Sequence, residues 1–166
     1  MTRQKETTMD SAAKKHVLRL LSYGLYVATS RNETGPAAGT ITWISQSSFT
    51  PPLIMVAIKA ATGLHHAIAF SRIFAVHVVG KSQKDLASAF FRGAHPTDGK
   101  LNGYDIEPGQ TGAPLLLVTP AWFECRVVNE IGGGDHTIFV GEIVNAGVRT
   151  DETPLSLREA GFAYGG

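Results

Sequence analysis

One cysteine, Cys125, in a chain of 166 residues rules out a framework of intramolecular disulfides and fits a reducing compartment. Charge of one sign is also missing. Fifteen Lys and Arg against 14 Asp and Glu leave a net charge of +1, too little field to gather nucleic acid or an anionic membrane surface. No apolar run reaches the length a bilayer demands, and the polar opening Met1-Thr2-Arg3-Gln4-Lys5-Glu6-Thr7 is followed by no apolar stretch of the kind a secretory signal needs. The expectation is a soluble cytoplasmic domain.

Several chemical signatures are absent too. No Gly-x-Gly-x-x-Gly follows a strand, so a Rossmann nucleotide site has no support. Gly80-Lys81-Ser82 is a false P-loop, because Ala75 stands where that motif needs its first glycine. There is no Gly-x-Ser-x-Gly elbow, and Cys125 lies mid-strand without a nucleophile signature, which reads as a small core residue. His65-His66, His77 and His95 do not make a metal site: adjacent helical histidines point apart, and no carboxylate or cysteine spacing supports them.

What is present, 43% apolar residues over this length, is enough for one domain with a full core. Residues 1 to about 10 read as a frayed polar tail. Asp10 or Ser11 caps a helix carrying Ala12, Val17, Leu18 and Leu21, which Tyr23-Gly24 ends. Strands are expected at Leu25–Ser30, from Thr40, at Leu53–Lys59, Phe74–Val79, Leu115–Val118, Ala121–Glu130 and His136–Val144, with short helices through His66 and Phe70 and, capped by Ser82, over Gln83–Phe91. Arg31–Pro36 and residues 92–113 read as loops, and Gly132-Gly133-Gly134-Asp135 as a hairpin turn needing positive φ. Many strands, few short helices and no βαβ alternation point to a closed or nearly closed antiparallel barrel, without internal repeats.

The most informative stretch is Thr40 to Ile54. It reads as a strand, then a hydroxyl- and amide-rich loop (Ser45-Gln46-Ser47-Ser48-Phe49-Thr50) stopped by Pro51-Pro52, then a second strand. Such a loop offers many short hydrogen-bonding groups to an anion or a heterocycle edge.

Three blocks, Tyr23-Gly24-Leu25-Tyr26-Val27-Ala28-Thr29-Ser30, Thr42-Trp43-Ile44-Ser45-Gln46-Ser47-Ser48-Phe49-Thr50-Pro51-Pro52 and Gly134-Asp135-His136-Thr137-Ile138-Phe139-Val140-Gly141-Glu142-Ile143, together resemble the flavin reductase family in order and spacing over roughly residues 15 to 166. The resemblance implies a mainly β fold, the FMN-binding split β-barrel of antiparallel Greek-key type with a few short helices, preceded by a tail at 1–14. It implies a homodimer with flavin near the subunit boundary. By the same resemblance Thr42, Trp43, Ile44, Ser45, Gln46, Ser47, Ser48 and Phe49 wrap the flavin, Thr29 and Ser30 lie near its ring, the segment from Ala60 through His65 and His66 closes on its phosphate, and His136 stands as the catalytic residue between flavin and nicotinamide.

The implied activity is hydride transfer from NADH or NADPH to FMN, with FAD as an alternative flavin and a monooxygenase as an acceptor of the reduced product. Hydroxyls and a lone histidine, without a carboxylate pair, suit such chemistry, which needs two rings held in contact rather than a strong acid or base. Two other readings remain open: an electron-transfer flavoprotein reduced by another protein, and a flavin carrier without turnover. The sequence does not choose between NADH and NADPH.

Overall fold

The computed structural model describes residues 9–166, so the expected frayed tail lies, up to residue 8, outside the described residues. The first helix, α1 (Ser11–Leu20), is capped by Asp10, whose carboxylate accepts from the amides of Ala12 and Ala13. It thus begins ahead of the boundary expected at residue 15, and none of its residues is buried. Strands β1 (Tyr26–Asn32), β2 (Gly35–Ile41), β3 (Ile44–Ser48) and β4 (Leu53–Lys59) follow. Then come α2 (Gly63–Ser71), β5 (Ile73–Val78) and α3 (Lys84–Ala89), the short strands β6 (Pro96–Thr97), β7 (Lys100–Leu101), β8 (Tyr104–Pro108) and β9 (Pro114–Leu116), and the long pair β10 (Ala121–Ile131) and β11 (His136–Val148).

Four expectations change. Gly35-Pro36 opens a strand rather than a loop, because β1 supplies a full antiparallel ladder from Tyr26↔Ile41 to Asn32↔Gly35 that outweighs the poor strand propensity of glycine, proline and alanine. Ser45–Ser48 is likewise strand, paired with β4 from Ser45↔Met55 to Ser48↔Leu53; its polar sequence reflects an exposed sheet edge rather than a loop. Residues 92–113, expected to be loop throughout, contain β6, β7 and β8, which with β9 form a four-stranded second sheet. Ser82 does not cap α3: its hydroxyl and amide both donate to Glu152, and Gln83 holds the cap position without a side-chain bond.

The main sheet is seven-stranded and antiparallel, in the order β2-β1-β5-β10-β11-β4-β3. Its two edge strands are consecutive in the chain, joined only by Thr42 and Trp43. Laid flat, seven strands at about 4.8 Å spacing would set the edges nearly 30 Å apart. Three Cα–Cα steps between Ile41 and Ile44 span at most about 11 Å. The sheet must therefore curl until its edges nearly meet, and Thr42-Trp43 marks the seam.

Two large apolar clusters flank β1. One holds Leu25, Val27, Leu86, Phe90, Leu116 and Leu155; the other holds Ala28, Val56, Ile68, Phe74, Val76 and Phe139. Successive residues of β1 enter different clusters, which is the period of a strand covered on both faces. Cys125 is a buried free thiol of the second cluster. Among the described residues no helix is long and apolar enough to cross a membrane.

Candidate functional site

A cavity of about 830 Å³ lies at the seam. Its walls come from β2, Thr42-Trp43, the end of β4 at Lys59, the start of α2, the segment after α3 and the final turn of chain through Tyr164. Two local features hold these elements together. Gly39 of β2 faces α2, where a β-carbon would lie in ordinary contact with Leu64 Cδ2 at 3.4 Å. The edge of β2 is occupied by the chain leaving α3, since the Thr40 amide donates to the Phe90 carbonyl at 3.2 Å and its hydroxyl to Ala87 at 2.6 Å.

Two residues that line this cavity, Thr42 and Trp43, each carry a buried side-chain polar atom with no partner in the protein, Thr42 Oγ1 and Trp43 Nε1. Buried groups of this kind each cost about 1 to 3 kcal/mol unless paired, so two of them on adjacent residues of one cavity wall suit a ligand with hydrogen-bonding edges. Trp43 itself is held firmly: its indole lies 4.5 Å from the His136 ring and 5.2 Å from that of Tyr164, centroid to centroid.

The start of α2 forms another part of the wall. Thr62 is the N-cap, its hydroxyl accepting from the His65 amide and donating to the Lys59 carbonyl. The amides of Gly63 and Leu64 begin the helix, no acidic residue stands in its first turn, and Lys59, Thr62, Gly63 and Leu64 all line the cavity. Amides at a helix start, aligned with its dipole and beside an ammonium, form a seat for phosphate. Among the described lining residues there is no carboxylate, while Lys59 brings positive charge beside the helix start. The site residues thus fit a ring system with hydrogen-bonding edges carrying a phosphate, which is the chemistry of a flavin nucleotide.

His136 does not line the cavity but stands behind Trp43. Its Nδ1–H donates to the Asp135 carboxylate at 2.8 Å, leaving Nε2 to accept the Tyr164 hydroxyl at 2.7 Å. The hydrogen bond from His136 holds the Asp135 carboxyl below its ordinary range. Burial, with the nearby Asp135 charge, raises the Tyr164 phenol, so that hydroxyl keeps its proton near neutrality. Asp135, His136 and Tyr164 therefore form a continuous chain from solvent to the cavity wall.

Of the residues the sequence singled out, the structure brings Thr42 and Trp43 to the cavity and His136 against it. It does not bring the others there. Thr29 is buried and donates to the Pro114 carbonyl; Ser30 is buried and donates to Ile73 at 2.7 Å. Ile44 packs against the core, Ser45, Gln46 and Ser47 are exposed on the β3 edge, Ser48 is half-buried, and Phe49 is 88% exposed on the turn before β4. His65 bonds Thr137 Oγ1 at 2.9 Å and lies 5.3 Å from the Phe139 ring, and His66 is exposed. Within the segment expected at the phosphate, the cavity instead takes Ala61, Thr62, Gly63 and Leu64, where a threonine N-cap before glycine was the available signal. Lys59 and Tyr164 gave no such signal. Among the described residues no cluster of metal-ligating side chains occurs.

The sequence matches a family model, the flavin reductase like domain, over residues 18–166. It is 31% identical over 156 residues to the reductase component of 4-nitrophenol 4-monooxygenase/4-nitrocatechol 2-monooxygenase of Rhodococcus opacus, covering 94% of this chain and 82% of that protein. It is 31% identical over 156 residues to the FMN reductase (NADH) SmoA of Agrobacterium fabrum, covering 94% and 86%. Its fold superposes with a TM-score of 0.76 on the NADH:FAD oxidoreductase SgcE6 of Streptomyces globisporus in complex with NAD and FAD fragments, at 26% identity and covering 90% of this chain and 91% of that one.

Proposed function

This chain belongs to the flavin reductase like domain family, and from that premise we propose that it is an NADH- or NADPH-dependent flavin reductase whose flavin sits in the seam cavity. The observation that carries the reading is the joining of two unpartnered buried groups, Thr42 Oγ1 and Trp43 Nε1, with the α2 start and Lys59 in one cavity free of carboxylates among its described lining residues. Relatives that are reductase components of monooxygenases support a two-component role, in which reduced flavin passes to a monooxygenase.

When bound, the flavin supplies the two-electron acceptor that a nicotinamide hydride requires. The protein's own work is positional. Thr42 and Trp43 would fix the heterocycle edge, and the Gly63 and Leu64 amides with Lys59 would hold the phosphate. Tyr164 closes one wall and, with its proton retained, presents a hydroxyl polarised by His136 and Asp135. His136 thereby orients Trp43 and Tyr164 together, walls between which the two reacting rings would be held in contact.

The same reading makes the curled sheet a split barrel and the active form a homodimer. Val17, Leu18, Leu20 and Leu21 of the α1 region are all exposed, and such an apolar patch is better covered by a second copy than left wet. Light scattering giving a monomer mass with flavin fully bound would contradict the dimer. Cys125 buried and unpaired fits a cytoplasmic setting.

Purified protein mixed with NADH and free FMN tests the activity. Rapid NADH oxidation is expected. Bleaching of bound flavin only by a protein donor would instead make it an electron carrier, and flavin binding with no bleaching at all would make it a carrier of flavin.

A further inference from the structure

The cavity is larger in its chemistry than one phosphate and one flavin ring require. Thr62, Gly63, Leu64 and Lys59 account for a single phosphate, yet Arg92 lines the same space and makes no ion pair among the described residues. Beside it is an aromatic surface with no role in the seam. Phe90, at the C-cap of α3, turns its ring into the core and is 1% exposed, which forces the next residue outward, so that Phe91 is 52% exposed while still lining the cavity. Phe91 is held in place by an edge-on contact with Phe162, ring centroids 4.9 Å apart, and the Lys84 ammonium stands 5.0 Å from the Phe162 ring. A fixed, half-exposed aromatic ring next to a free guanidinium is the pairing that binds a purine nucleotide: the base stacks on the ring, and the fork of N–H donors takes the phosphate.

We propose that Phe91 and Arg92 form an adenosine-phosphate seat at the edge of β2, so that this protein holds the adenosine half of a dinucleotide as well as the flavin. The proposal rests on the flavin reductase reading above. Two dinucleotides carry that half, FAD and the nicotinamide coenzyme, and the shared chemistry is adenosine 5′-phosphate.

The test measures binding of 5′-AMP, FMN and FAD by titration calorimetry, and KM for NADH, in the wild-type protein and in Phe91→Ala and Arg92→Gln. Both residues are exposed, so the fold should survive, and unchanged FMN affinity checks that it has. The expected result is a roughly tenfold or greater loss of 5′-AMP affinity in each variant with FMN affinity unchanged. A matching loss for FAD with constant KM for NADH places the flavin's adenosine in the seat; a raised KM for NADH with FAD affinity constant places the coenzyme's there. Binding of 5′-AMP, FAD and NADH to both variants as tightly as to wild type would overturn the proposal. The 5′-AMP titration reads the seat without flavin, so failure of the flavin reading shows separately, as loss of FMN binding with 5′-AMP binding intact.

Discussion

The imidazole of His136 lies 4.5 Å from the indole of Trp43, centroid to centroid, so a residue that leaves the Gly-rich turn at the head of β11 supports the wall of a cavity it does not itself reach. Its effect on chemistry is transmitted through Trp43 in one direction and the Tyr164 hydroxyl in the other.

The first prediction follows from that placement. His136→Ala should keep flavin but lower NADH turnover about ten- to a hundredfold, the loss expected when one polar contact of about 1.4 to 2.7 kcal/mol is removed from the transition state. Tyr164→Phe keeps the ring against Trp43 and deletes only the hydroxyl, and should cost less. Steady-state kinetics on the flavin-loaded variants decide this: turnover unchanged in both would reduce the Asp135, His136 and Tyr164 chain to a structural strut.

Thr42→Val should weaken flavin binding by about 1 to 2 kcal/mol, or roughly five- to thirtyfold, because the ligand loses its partner. The flavin-free protein should be no less stable, since the hydroxyl removed is buried and unpaired there. Ser47→Ala, at an exposed position on β3, should change affinity less than Thr42→Val does. The reverse order in fluorescence titrations would return the flavin to the outer edge of β3.

Much of the fold was legible because its signals are local. Asp10 and Thr62 sit where helix caps belong, and the unbroken apolar run of β4 and the long β10–β11 pair declare strands directly. What could not be read is set by partners distant in sequence. Gly35 to Ile41 becomes a strand only because β1 supplies its ladder, and Ser45–Ser48 looks like a loop because an edge strand shows its polar side chains to water. In the site, Thr42, Trp43 and His136 stand in motifs, but Tyr164 lies 28 residues beyond His136 in a tail without regular structure, and only the folded chain brings them together. Thr29 and Ser30 carry the right hydroxyls, yet both are consumed by neighbouring carbonyls.

Acid should destabilise the protein through His77. This ring is fully buried, with Nδ1–H donated to the Val27 carbonyl at 3.0 Å and Nε2 accepting the Leu116 amide at 3.0 Å, so it has no place for a second proton. Burial pushes its pKa down from 6.5 to about 4. The folded state therefore binds this proton less readily than the unfolded chain does. The stability this confers is complete above pH 6.5 and is lost as pH falls from about 6.5 to about 4, a change on the order of 3 kcal/mol. Urea unfolding at pH 7 and pH 5, with the His77 ring followed by NMR, checks it. Equal stabilities at the two pH values and a His77 that titrates near 6.5 would contradict the assignment.

The central claim, that flavin binds against Trp43 at the seam of the sheet, has a direct optical test. The chain holds two tryptophans, and Trp122 packs beside Arg149 away from the cavity. In Trp122→Phe, emission comes from Trp43 alone. Adding FMN should quench that emission to saturation, with the same midpoint as the flavin dependence of NADH oxidation. NADH oxidation that saturates with FMN while Trp43 emission stays unchanged would place the flavin elsewhere and contradict the account.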